Sequence, residues 1–298
     1  MKLLKWLGGL VAILFAVIVL AIIILPNVVD PNDYRDELST LVKDKTGRDL
    51  VLAGDLELSV FPWLGIRTEG LSLSQPEQIG GEMLSVKTAQ LRVKLLPLLG
   101  KKVEVDTVVL DEPTITLITL KNGVDSFSGL TGDDAEPVDS EDSGQAAVAL
   151  AIQGMELSNG KVVIDDRQAN SRTELSELNI VTGNLLGSSL ASISASGKMS
   201  DSTTPDVTTF ELTAKAQINA DTLAVKMADL DANVVQGEQN IDLEMASMDV
   251  IDSSEITISN LQAKVKGPME VSATIPQLSA SLDTVSYTHL TLPSILRV

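Results

Sequence analysis

The sequence predicts a mainly β protein. An N-terminal transmembrane helix and a short helix precede a long antiparallel β-sheet that is curled, as a half-pipe or in sandwich-like form. Three observations carry this expectation. Leu7 to Leu25 runs nineteen residues without a charged or polar side chain. From Leu50 onward the hydropathy alternates with period two. The cleanest case sets Phe210, Leu212, Ala214, Ala216 and Ile218 against Glu211, Thr213, Lys215 and Gln217. Past Gly47 no ten-residue helical stripe intervenes, and short strands without helices between them indicate antiparallel pairing.

The apolar run rises about 28 Å as a helix, close to the roughly 30 Å hydrocarbon core of a bilayer. It is longer than the core of a secretory signal, and it ends Ile24-Leu25-Pro26-Asn27 with no small-x-small cleavage site, so it reads as an uncleaved anchor. Lys2 and Lys5 precede it, while Asp30, Asp33, Asp36 and Glu37 follow with only Arg35 among them. The positive-inside rule then leaves the N-terminus in the cytoplasm and the rest of the chain outside it.

Residues 1–29 therefore form the cytoplasmic tip and anchor. Residues 30–130 open with a short helix. Asp30 suits its N-cap, Pro31 its first position and Gly47 its end. Tyr34, Leu38, Leu41 and Val42 form one apolar stripe that could lie on the membrane interface or close the end of the following domain; the second is expected, since Asp33, Asp36, Glu37 and Asp44 would face acidic lipid. A strand then carries Leu50, Leu52, Leu56, Leu58 and Val60 on one side, with Gly54 as a candidate bulge. Phe61 to Gly65 reads as a turn and Ile66 to Leu73 as a second strand. Ala89, Leu91, Val93 and Leu95 alternate with Gln90, Arg92 and Lys94. Pro113 is expected to mark a break or a sheet edge before Thr114 to Leu120.

Residues 131–147 form an acidic linker or loop, too polar to bury apolar surface. Over 148–284 the β pattern resumes, with Leu223, Val225 and Met227, then Ile241, Leu243 and Met245, then Leu261, Ala263 and Val265 in successive strands. Ser158-Asn159-Gly160 and Gln236-Gly237 read as turns between strands. Residues 285–298 hold the only histidine, His289, and depart from the pattern, so they read as a non-native tail on a truncated chain.

Composition narrows the function classes. The net charge of -19 argues against nucleic acid, because phosphate contacts need a surplus of Lys and Arg. Without cysteine there is no thiolate metal site and no thiol nucleophile. With one histidine in a suspect tail and no carboxylate pair in an apolar surround, the sequence speaks against an enzyme, a metal centre and any cofactor.

Several motifs occur in a specific order: the apolar run, Lys45-Thr46-Gly47-Arg48, Gly54-Asp55-Leu56, Ser59-Val60-Phe61-Pro62, Leu95-Leu96-Pro97-Leu98-Leu99, Leu110-Asp111-Glu112-Pro113 and Asn122-Gly123. In this order Met1 to Leu130 resembles the N-terminal region of the AsmA family of Gram-negative envelope proteins. The family often places Asn-Trp shortly after its last turn, and Ser126-Phe127 stands there instead. The resemblance implies an inner-membrane protein with its bulk in the periplasm, acting in outer-membrane biogenesis. It also implies kinship with bridge-like lipid transfer proteins, whose β grooves hold phospholipid tails.

On that implication the candidate groove lining is Leu50, Leu52, Leu56, Leu58, Leu91, Val93, Phe210, Leu212, Leu223, Val225, Leu243 and Val265. Periodicity by itself leaves a closed sandwich and an open groove equally available. About 15 strands at roughly 4.8 Å spacing would extend ~70 Å. The partners expected are the membrane and phospholipid. The competing expectation is a non-enzymatic assembly or regulatory factor that binds outer-membrane or envelope proteins through its sheet edges.

Overall fold

The computed structural model describes residues 30–59, 64–94, 105–129, 153–202, 204–219, 222, 224–251, 255–268 and 270–281. The anchor expected at Leu7–Leu25, residues 131–147, residues 285–298, Leu223 and most of the Phe61–Gly65 turn lie outside these. Among the described residues, no helix is long and apolar enough to cross a membrane.

The short helix starts and stops where its capping residues predict. Asp30 accepts a hydrogen bond from the Asn32 amide at 2.9 Å and opens a 3-10 turn, Pro31–Tyr34. Helix α1, Arg35–Thr46, follows directly. Gly47 ends it at φ 66°, a left-handed conformation that costs glycine nothing, and donates to the Lys43 carbonyl at 2.8 Å. The apolar stripe does not close the domain. Tyr34, Leu38 and Leu41 are 58%, 43% and 55% exposed, and only Val42 is half-buried.

The expected first strand is two short ones, β1 (Leu50–Leu52) and β2 (Glu57–Ser59), both pairing with β3 (Leu64–Ser74). Gly54 sits between them, and its N–H donates to the Glu69 carbonyl at 2.7 Å. A Cβ there would lie 2.7 Å from that oxygen, so only glycine permits the approach.

The remaining strands are β4 (Glu82–Val93), β5 (Val105–Thr119), β6 (Gly154–Asp166), β7 (Ser171–Thr182), β8 (Ala191–Asp201), β9 (Thr204–Ile218), β10 (Val225–Gln236), β11 (Gln239–Ile251), β12 (Glu255–Lys266) and β13 (Val271–Ser281). All thirteen belong to one open sheet in the order β1-β3-β4 and so on to β13, with β2 beside β3. Twelve strands in line extend about 50 Å at the usual interstrand spacing.

The sheet is not wholly antiparallel. β5 and β6 pair parallel, and the chain between Thr119 and Gly154 supplies the long crossover that a parallel pair requires. Pro113 neither breaks β5 nor marks an edge. It is fully buried within a strand that has partners on both sides, and the β5–β6 ladder skips Glu112 and Pro113, so its missing N–H is tolerated. Ser158-Asn159-Gly160 is likewise no turn but the middle of β6. Gln236-Gly237 does join two strands, β10 and β11.

A crease explains these differences. Gly70, Glu112, Asn159, Glu177, Asp229 and Asn260 all have positive φ, between 48° and 66°, inside β3, β5, β6, β7, β10 and β12. By register, Gly70 falls opposite Lys87, Lys87 opposite Glu112, and Glu112 level with Asn159. Asp229 and Asn260 fall level with Ala246 between them. Left-handed residues inside strands behave as bulges that bend the strand. Here each comes second in a doublet pointing to one side of the sheet, as in Leu110-[Asp111-Glu112]-Pro113, Leu157-[Ser158-Asn159]-Gly160 and Ile258-[Ser259-Asn260]-Leu261. The phase of the apolar residues shifts by one across each doublet, so both halves of the strand keep their apolar side chains on the same face. β4 and β11 keep the doublet, as Lys87-Thr88 and Ala246-Ser247, without a left-handed residue, and β8 and β9 have neither. Register shifts against β7 and β10 accommodate them.

Candidate functional site

Residues directly opposite in a ladder share a face, so register fixes which side chains lie together. From β1 the apolar series runs Leu50 to Leu73 to Leu84 to Ile115 to Val162 to Leu175 to Met199. On the other side of the crease it runs Ile66 to Leu91 to Val108 to Met155. At the far end Val234, Ile241, Val265 and Val271 continue one half, and Ile218, Val225, Val250 and Ile256 the other. Contacts across the crease show that both halves share one face. A Cβ on Gly160 would meet Leu157 Cδ2 and Pro113 Cγ, and one on Gly197 would meet Phe210 and Leu178. One aliphatic face therefore runs from β1 to β13.

The residues predicted to line a groove fall on it with two exceptions. Leu50 and Leu52 oppose Leu73 and Leu71, while Leu58 and Leu91 both oppose Ile66. Val93 opposes Leu64, Phe210 opposes Val234, and Leu212 opposes Ala232 and Ala195. Val225 opposes Ile218, Leu243 opposes Ala263, and Val265 opposes Ile241. Leu56 stands apart. It lies in the β1–β2 connector at 7% exposure, its N–H and carbonyl held by the Asn32 side chain at 2.8 and 3.1 Å. Leu223 is the second exception, lying outside the described residues.

The face is half-buried rather than sealed. Val86, Pro113 and Leu157 are buried at the crease, and Ala214, Ala216, Ala232 and Met245 farther along. Most of the larger side chains on it keep partial exposure, reaching 38% at Leu91 and 41% at Ile164. Thr173, Asp201, Thr208, Gln236 and Gln239 make it polar at the hairpin ends of β7 to β11, as Thr119, Asp166 and Ser171 do at the ends of β5 to β7, and Thr68 of β3 and Thr182 of β7 also lie on it. Sequence reasoning missed the lining from β5 to β7, including Leu110, Ile115, Val162 and Ile180. The available signal was the polar doublet between two apolar residues in each of these strands.

The opposite face is mainly polar, with scattered valines such as Val51, Val163, Val181 and Val207, and many of its charges are paired. Lys161–Glu174 (2.7 Å) and Lys266–Asp242 (2.9 Å) bridge neighbouring strands there, and Arg92–Glu156 (3.2 Å) reaches from β4 to β6 across β5. Three of the crease acids are each matched by a lysine on the adjacent strand: Glu112 by Lys87, Glu177 by Lys198 and Asp229 by Lys215. Hydrogen bonding to Glu112 raises the pKa of Lys87, and the Asp242 carboxylate does the same for Lys266. Asp242 is held below the usual carboxylate range by Lys266 and then by Asn233.

A family model described as the AsmA family matches residues 1–268. The chain belongs to the AsmA family. The match extends well past the motifs of the first 130 residues and takes in the creased strands through β12. The chain is also similar to Protein AsmA of Escherichia coli (strain K12), at 29% identity over 165 residues, covering 54% of this chain and 26% of that protein. It thus spans about a quarter of the length of that relative.

Proposed function

We propose that this AsmA-family chain acts in envelope biogenesis as an inner-membrane-anchored, periplasmic, non-enzymatic protein that binds or conducts phospholipid. On this reading the acyl chains lie along the apolar face, and Leu7–Leu25 tethers the chain with its N-terminus in the cytoplasm. The observation that carries the reading is the continuity of that face across the described strands β1 to β13, where most of the larger apolar side chains stay partly exposed, Leu91 at 38%. Each methylene of an acyl chain left in water costs about 0.8 kcal/mol, so a lipid crossing water needs a continuous apolar path. Aliphatic side chains give such a path without fixing the lipid, whereas a specific pocket adds placed polar contacts. Family membership supports the setting, and the crease supports a concave shape on the apolar side, because it draws Leu157, Gly160 and Pro113 together there.

The test is mass spectrometry of lipid carried by the detergent-extracted full chain, compared with a Leu91→Asp, Leu212→Asp variant. Lipid around the anchor is common to both. A buried, unpaired carboxylate should lower the remaining phospholipid at least about tenfold. Equal lipid on the variant, with its β circular dichroism unchanged, would overturn the reading. Crosslinks from the sheet edges to envelope proteins alone would favour an assembly factor instead.

A further inference from the structure

We propose that the exposed stripe of the first helix, Tyr34, Leu38 and Leu41 with Lys45 at its end, rests in the head-group region of the phospholipid bilayer and holds the β1 end of the apolar face at the membrane surface. The inference rests on the anchored reading above and adds a contact that the reading does not need.

Among the described residues nothing covers the stripe, and the helix is not free to turn it inward. Arg35 donates to the Gly54 carbonyl, and the Asn32 side chain bonds both backbone groups of Leu56. At the other end Arg48, only 2% exposed, donates to the carbonyls of Ser126 and Ser128 at 3.2 and 2.7 Å. Helix α1 is thus fixed at both ends by the side bearing Arg35, Val42 and Thr46. At about 100° per residue, Leu38, Leu41 and Lys45 lie roughly a quarter turn from that docked side. At that spacing Asp36 lies on the far side of the helix, while Glu37 and Asp44 flank Leu41 on the edge of the stripe away from the docked side, so the contact suits a zwitterionic lipid surface rather than an acidic one.

Chain length limits the alternatives. The apolar run ends at Leu25, and five residues bring the chain to Asp30, a reach of about 17 Å at most. The helix therefore starts within a short distance of the head groups. Tyrosine favours that layer, and lysine at the end of the stripe suits lipid phosphate. An amphipathic helix with an apolar stripe and a charged opposite side is the form that lies in the interface plane.

The sequence has no cysteine, so a single introduced one is a unique labelling site. Leu41→Cys and Thr40→Cys, both at exposed positions, would carry an environment-sensitive fluorophore on the full chain reconstituted in phosphatidylcholine liposomes with shallow spin-labelled lipid. Asn27→Cys would report the tether. The Leu41 probe should be quenched at least about threefold more than the Thr40 probe. Equal quenching at the two, or a quenched Asn27 probe with an unquenched Leu41 probe, would overturn the helix contact while leaving the anchor standing. No quenching at any position would overturn both.

Discussion

Asn159 shows how much one residue's backbone decides. At φ 51° in the middle of β6 it occupies a region that costs most L-residues roughly 1–2 kcal/mol, with asparagine among the least penalised. A β-branched replacement meets the full steric cost. We expect Asn159→Val to destabilise the protein by about 1–3 kcal/mol and Asn159→Gly to be neutral or stabilising, as read by urea unfolding. A valine variant as stable as wild type would mean the crease is not fixed at this residue. The same position shows why the sequence misled. Asn-Gly is a strong turn signal, so the sequence at Asn159-Gly160 predicts a turn. The residue does adopt the turn-like conformation, but the neighbouring strands β5 and β7 keep the chain extended on either side. At Pro113 the missing N–H suggested an edge, whereas the crease leaves that position without a parallel ladder partner.

At the level of the element, ionised groups on the polar face add cross-strand contacts to the backbone ladders. Asp242 of β11 accepts from Lys266 of β12 and from Asn233 of β10, tying three strands together. Its lowered pKa means that its contribution is present above the ordinary carboxylate pKa and is lost as pH falls through the lower folded value. The raised pKa of Lys266 means that its contribution is present below the ordinary lysine pKa and is lost as pH rises through the higher folded value. Amide exchange protection of β11 and β12 should therefore hold through neutral pH and weaken at both extremes. Asp242→Asn should flatten the acid side of that profile. An unchanged acid limb in the variant would remove this pair from the account.

The elements themselves were unevenly legible. The helix was read from Asp30, Pro31 and Gly47, because caps are local chemistry. β9 was read cleanly because its alternation from Phe210 to Ile218 is unbroken. The parallel β5–β6 pair was not legible, since nothing local distinguishes it from an antiparallel one. The exposed stripe of α1 was misread because periodicity reveals an apolar side but not what covers it.

Across the whole molecule, the sheet is organised by a separation of faces that the doublets preserve. Strands that look blurred by strict alternation, such as β5 and β6, are two clean halves joined out of phase. Leu91 and Leu212 were assigned to one surface from parity within their own strands. That they share it depends on the crease, which no single strand reveals. The alternative was a sandwich, which would bury aliphatic side chains between two layers about 10 Å apart. The described strands instead form one open sheet whose larger apolar residues remain partly exposed.

The central claim is that this face holds acyl chains, and adjacent residues of β9 test it most directly. Leu212 lies on the apolar face opposite Ala232, and Thr213 points to the other side. A photoreactive amino acid placed at each position in the membrane-bound full chain, followed by mass spectrometry of adducts, compares the two faces within one strand. The account predicts phospholipid adducts at position 212 and none above background at position 213. Equal labelling of the two, or only protein adducts at 212, would contradict it.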